Sequence, residues 1–252
     1  MSDSESDDQV KKERKPRKKK RIPALPDEVV VIKNKDKGGW MESWRKPKNR
    51  SPGLIPHSFR LLALGGVGRG KTNMLKQIFL KHQSTSKKFK KLIIVTCDAS
   101  SKEWLDCQPD LVTDEMVDLS MFEDGVKTCC VIDDFEWIRC TKQQQKQLST
   151  LMRFISSHRN VSVLLSFQSF MDCPSIARKC ANCFMIYKPN SKLECSQIEN
   201  RCGLEKGTLH HLFKTECSGI YDHVFVDKTI GTPFPLRKNI YDIIQLESSD
   251  SD

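Results

Sequence analysis

Apolar residues in this chain gather in short, nearly unbroken runs, set between longer segments of helical spacing. Residues 59–64, 91–97, 128–136, 161–167, 183–187 and 221–227 each read as a strand or strand-like run. Runs of this length, apolar without strict alternation, suit strands buried on both faces. Between them, residues 73–80 carry helical spacing, and 142–158 set Leu148, Leu151, Met152 and Ile155 on one face. Residues 174–179, 196–204 and 208–215 read as further helices, and 115–122 as helical or irregular. Strands alternating with helices predict an α/β domain with a mostly parallel sheet and helices on both of its faces. No internal repeat is visible.

The first strand runs into Gly65-Gly66-Val67-Gly68-Arg69-Gly70-Lys71-Thr72, which fits G-x-x-x-x-G-K-[ST] at every fixed position. A strand before it and a helix after it are the setting a phosphate-binding loop needs. The glycines let backbone N–H groups curl around a polyphosphate, and the helix start adds a favourable dipole. Lys71 would supply charge to the β- and γ-phosphates of ATP, and Thr72 a hydroxyl to Mg²⁺. A chance glycine-rich turn is the competing explanation, and the full match in context argues against it.

Thr128-Cys129-Cys130-Val131-Ile132-Asp133-Asp134-Phe135-Glu136 is a buried-strand run ending in carboxylates. The C-terminal ends of parallel strands are where α/β proteins bind ligands. Asp133 is the candidate for the Mg²⁺ shell opposite Thr72. Asp134, or Glu136, is the candidate to orient or deprotonate an attacking water; helix capping is the alternative for both. The strand at 161–167 ends at Gln168, whose amide can both donate to a phosphate and accept from water. That suits a γ-phosphate sensor of the kind P-loop motors carry, against a plain exposed polar residue.

Charge and cysteine content refine this picture. In 252 residues, Lys and Arg total 42 against 32 acidic residues, a formal charge of +10 that suits a nucleic-acid partner. No apolar stretch reaches about 18 residues, so no membrane span is expected, and no secretory signal is expected either. Eleven cysteines, an odd count, point to a reducing compartment rather than a disulfide framework. Cys180-Ala181-Asn182-Cys183 has metal-like spacing, with Cys195, Cys202 and His210 or His211 downstream, which leaves structural zinc as an alternative to free thiols.

The chain divides into a charged tail at 1–21, a lead-in at 22–57, a P-loop domain at 58–230 and a C-terminal extension with an acidic tail at 231–252. The tails are too polar to fold alone. The basic run 11–21 reads as a nuclear-import signal, a DNA contact or a solvated tail. The lead-in holds an apolar run at 29–32, and Trp40 and Trp44 among lysines, a mixture that either stacks on bases or packs on the domain.

Taken in order, these pieces resemble the genome-packaging ATPases of the FtsK–HerA superfamily, above all the poxvirus-like ones of large DNA viruses, adenovirus-like elements and virus-like transposons. The resemblance spans residues 59–227. It rests on the loop 65–72, Asp133-Asp134, His158-Arg159-Asn160-Val161-Ser162-Val163, Gln168 with Pro174, and then Arg178 and Asn182. It implies a RecA-like core assembled into a homo-oligomeric ring, partnered by a capsid or portal protein, that pumps double-stranded DNA, gripped by its backbone, into a preformed capsid. It also implies an arginine finger from the neighbouring subunit, with Arg178 the first choice and Arg159 the second. Asp133-Asp134 stands where many relatives have Asp-Glu, which leaves Asp134 and Glu136 both open as the water-polarising group. A host-nuclear, virion-associated location follows as an expectation. A P-loop nucleotide or nucleoside kinase is the alternative enzyme, though no compact arginine-rich lid is evident. A nucleotide-dependent regulatory protein is another, though the only near match to a guanine motif, Asn34-Lys35-Asp36, precedes the loop.

Overall fold

The computed structural model describes residues 55, 58–83, 89–100, 102–229, 232 and 235–244. The basic run 11–21, nearly all of the lead-in, Asn34-Lys35-Asp36 and the acidic tail lie outside the described residues.

Among the described residues nine strands form one sheet in the order β3-β2-β4-β5-β1-β6-β7-β8-β9. They are β1 (Arg60–Leu64), β2 (Lys91–Thr96), β3 (Leu111–Thr113), β4 (Thr128–Asp133), β5 (Val161–Phe167), β6 (Cys183–Tyr187), β7 (His223–Asp227), β8 (Leu236–Lys238) and β9 (Asp242–Ile243). The pairs from β3 through β6 are all parallel, and β7, β8 and β9 add antiparallel. Every residue of β4, β5, β6 and β7 is buried, which is why their sequences lack alternation.

Alternate strand residues feed two separate cores. Leu62, Leu64, Ile132, Val163 and Leu165 point to one face, Leu61, Ala63, Val131 and Leu164 to the other. Leu148, Leu151, Met152 and Ile155 join the first core. They come from α2 (Lys142–Thr150) and from the π-helical turn Leu151–Ile155 that continues it. Thr141 caps α2 in a reciprocal box with Gln144, so neither Asp134 nor Glu136 does that work. The same face receives Ala177 of α3 (Ser175–Cys180), Ile198 of α4 (Lys192–Cys202) and Leu209 and Leu212 of α5 (Thr208–Thr215). The second core is closed by α1 (Lys71–Gln83), through Leu75 and Ile78, and by Trp104 of the 3₁₀ segment Lys102–Cys107.

The sheet passes the expected boundary at residue 230. β8 and β9 lie within the segment set apart as an extension. A buried ion pair, Arg237 Nη2 to Asp227 Oδ2 at 3.1 Å, ties β8 to β7. Asp227 also accepts from Thr229 N at 2.9 Å and Thr232 Oγ1 at 3.2 Å, which closes the turn between them. The segment 115–122, expected to be helical or irregular, is irregular apart from a single 3₁₀ turn, Leu119–Met121, started by Asp118 accepting from Ser120 N. Among the described residues no group of three or more His, Cys, Asp or Glu is placed to hold a metal, and Cys183 and Cys202 are buried and not joined in a disulfide. No helix of the described residues is long and apolar enough to cross a membrane.

His223 opens β7 fully buried, its ring 5.0 Å from that of Tyr187. Burial pulls its pKa down to about 4 from 6.5. The unfolded chain therefore binds this proton more readily, and the contribution to stability falls as pH drops from about 6.5 to about 4. Wild type should lose about 3 kcal/mol relative to His223→Gln across that window in denaturant titrations. A difference between the two that does not change with pH would show that His223 titrates normally in the fold.

Candidate active site

The parallel strands point their C-terminal ends to one edge, and the chemistry collects there. Gly65 follows β1 and donates its N–H to Phe167 O of β5 at 3.1 Å. The loop then rises to Val67, 77% exposed, and turns back through Gly68 and Gly70 at φ 74° and 81°. These left-handed conformations are cheap only for glycine. Gly65 is fixed for a different reason: a Cβ there would lie 2.6 Å from Tyr187 Cβ.

α1 begins at Lys71, directly out of the loop. The Lys71 ammonium turns back to donate to Gly65 O at 2.8 Å and Gly66 O at 3.0 Å. Burial lowers its pKa, opposed by the charges of Asp134 and Asp133. Thr72 Oγ1 donates to Asp133 Oδ2 at 2.8 Å, and Ser166 Oγ to Asp133 Oδ1 at 2.5 Å. Asp133 is 3% exposed, and burial raises its pKa against those two hydrogen bonds and the Lys71 charge. A hydroxyl and a buried carboxylate in contact are hard oxygen donors that fit Mg²⁺.

Asp134 leaves β4 at φ 48°, its N–H donating to Ser166 Oγ at 2.9 Å. It is exposed and lines a cavity of about 550 Å³ together with Val67 to Met74, Gln77, Glu103, Tyr187 and Tyr221. A cavity of this size is of the order that small-molecule sites have.

The other sequence candidates fall outside that cavity. Glu136 is exposed and paired with Arg139 at 3.2 Å. Gln168 is exposed beside the loop, in a cleft shared with Gly65, Gly66 and Tyr187. The backbone just after it is fixed by the buried Glu194, which accepts from Ser169 Oγ at 2.9 Å and Phe170 N at 2.7 Å. Arg178, on α3, is half-buried with its guanidinium 5.2 Å from the Phe170 ring, in a separate groove with Trp137 and Met171. Arg159 precedes β5, so it lies at the opposite edge of the sheet, roughly 20 Å from the loop at the rise of a seven-residue strand. Its Nη1 donates to Phe122 O at 2.7 Å and its Nε pairs with Asp124 at 3.0 Å, so within its own chain it is a structural clamp. Asn182 is structural too, its Oδ1 accepting from Arg60 N at 2.7 Å where β1 starts.

No protein-family model and no curated protein matches the chain. Solved structures do match. The DNA-packaging ATPase B204 from Sulfolobus turreted icosahedral virus superposes at a TM-score of 0.52 and 14% identity, covering 76% of this chain and 100% of that one. The genome packaging NTPase B204 from Sulfolobus turreted icosahedral virus 2, in complex with sulfate, gives 0.53 and 14% over 76% and 99%. The cytoplasmic domain of the type VII secretion ATPase EccC from Thermomonospora curvata gives 0.50 and 12%, over 79% of this chain and 26% of that one. The fold is that of the P-loop ATPases.

Within this P-loop ATPase fold, three site residues escaped the sequence reading. Ser166 links β5 to both aspartates, and its only mark is a hydroxyl in an apolar strand. Glu103 reaches the cavity from the segment after β2, where burial and then Asp133 raise its pKa. Tyr221 arrives from far along the chain. Gly65→Ala should cost about 1–3 kcal/mol, because its new methyl meets the Tyr187 stem rather than a flexible tip. Thermal unfolding checks this, and an unchanged midpoint would mean the loop can shift freely.

Proposed function

We propose that this chain is an ATPase that drives double-stranded DNA into a preformed viral capsid, as a packaging motor of the FtsK–HerA superfamily. The observation that carries the reading is the meeting of Lys71, Thr72, Asp133 and Asp134 around a glycine loop, in a fold shared with viral DNA-packaging ATPases. Loop N–H groups and Lys71 bind the phosphates of ATP. Thr72 and Asp133 would hold Mg²⁺, which when bound offsets the negative charge of the phosphoryl oxygens. Asp134 faces the cavity and orients or deprotonates the attacking water; Glu136 is held by Arg139 and serves less well. Gln168, beside the loop, senses the terminal phosphate.

In this reading the subunits form a ring, and Arg178 reaches the neighbour's site as its arginine finger. Basic residues grip the DNA backbone without reading sequence, so binding weakens steeply with salt. The ring docks on a capsid or portal protein, and residues 11–21 carry the chain into the host nucleus.

Lys71→Ala should bring ATP hydrolysis to background while circular dichroism stays unchanged; normal turnover would refute the loop's role. Duplex DNA should stimulate the wild-type rate, whereas phosphate transfer to a small acceptor would favour a kinase instead. Arg178→Ala should keep ATP binding and lose about a thousandfold in turnover. Mixing it with Lys71→Ala subunits, which still carry Arg178, should recover part of the activity. No recovery at any ratio would rule out action across a subunit interface.

A further inference from the structure

Sheet order gives the cavity two distinct ends. β4 stands two places from β1 on one side and brings Asp133 and Asp134. Glu103, from the 3₁₀ segment that follows β2, the strand beside β4, lines the cavity as well. β7 stands two places from β1 on the other side, and the turn leading into it brings Tyr221 to the cavity.

Tyr221 is 64% exposed, yet the turn that carries it is built. Asp222 Oδ2 accepts from Gly219 N at 2.9 Å and pairs with Lys238 at 3.3 Å, while Asp222 Oδ1 accepts from Asn239 Nδ2 at 3.1 Å. Arg69, from the phosphate loop itself, donates to Ile220 O at 3.3 Å. The ring stands close to the loop: its Cδ1 is 3.5 Å from where a Cβ on Gly70 would lie. An aromatic ring is thus held at the cavity's rim, its turn registered to the loop by a hydrogen bond from Arg69.

We propose that Tyr221 is the stacking platform for the nucleobase of the bound triphosphate. The proposal rests on the phosphate-loop reading above. If the terminal phosphate and its cation belong with the acids at the β4 end, the nucleoside leaves the loop toward the β7 end, where Tyr221 waits. Every nucleobase offers a π face, so this contact adds affinity with little preference among bases.

The test compares binding of ATP with binding of inorganic tripolyphosphate, which has no base, to the full chain by calorimetry. Tyr221→Ala should raise the Kd for ATP about tenfold and leave that for tripolyphosphate unchanged. Tyr221→Phe, which keeps the ring, should bind ATP like wild type. Equal weakening of both ligands, no weakening of ATP, or a Phe variant that behaves like Ala would each overturn the stacking role while leaving the loop's role intact. Wild type that binds neither ligand would remove the phosphate-loop reading, and this proposal with it.

Discussion

A carboxylate buried at the end of β4 is the constraint around which this site is organised. Asp133 cannot be taken out of water as an ion without compensation, and two hydroxyls supply part of it. One comes from the first turn of α1, the other from β5, and Ser166 passes the chain of hydrogen bonds on to Asp134 N. Three elements distant in sequence are thereby held to one point. Lys71, also buried, donates to loop carbonyls rather than to Asp133, so the two opposite charges sit near each other without pairing. Burial disfavours both charged forms. A polyanion beside the lysine and a cation beside the carboxylate are the ligands that reverse this, and a site paying that cost is suited to bind both.

Much of the architecture was legible because local physics and tertiary burial agree. β5 and β6 fall on the runs read from sequence, since a parallel strand covered on both faces has to be apolar throughout. β3, β8 and β9 were not legible, being two or three residues long and defined by their partners. The loop 65–72 was read from its glycines, but the demand on Gly65 comes from Tyr187, which is 122 residues away by sequence number. Ser166, Glu103 and Tyr221 share this difficulty: each acquires meaning only when the sheet order brings it to the loop. Arg159 shows the reverse, a well-typed residue that the strand direction carries to the far edge.

Two buried glutamates show how the irregular top edge is kept in place. Glu199 of α4 accepts from Gly207 N at 3.1 Å and Leu209 N at 2.9 Å, capping α5, whose own N-cap residue is a glycine with no side chain to do so. Glu194 of the same helix holds Ser169 and Phe170. One helix thereby fixes the start of α5, which precedes the Tyr221 turn, and the segment that follows Gln168.

That second anchor bears on how Gln168 and Arg178 relate. Gln168 borders the glycine loop, and two residues later Phe170 lies under the Arg178 guanidinium. Glu194 holds the segment between them through the Ser169 hydroxyl and the Phe170 N–H, so a displacement of Gln168 works against those bonds or carries Phe170 with it. Arg178 is held from the other side as well, its carbonyl accepting from Arg201 Nε of α4. The residue beside the phosphate loop and the arginine that faces away from it thus share one support, α4. Contiguity of this kind is what allows a local change to be felt at a distance, provided the shared element has two stable arrangements. Here the bonds that tie the two residues to that element are those of the Glu194 carboxylate on one side and of Arg201 on the other.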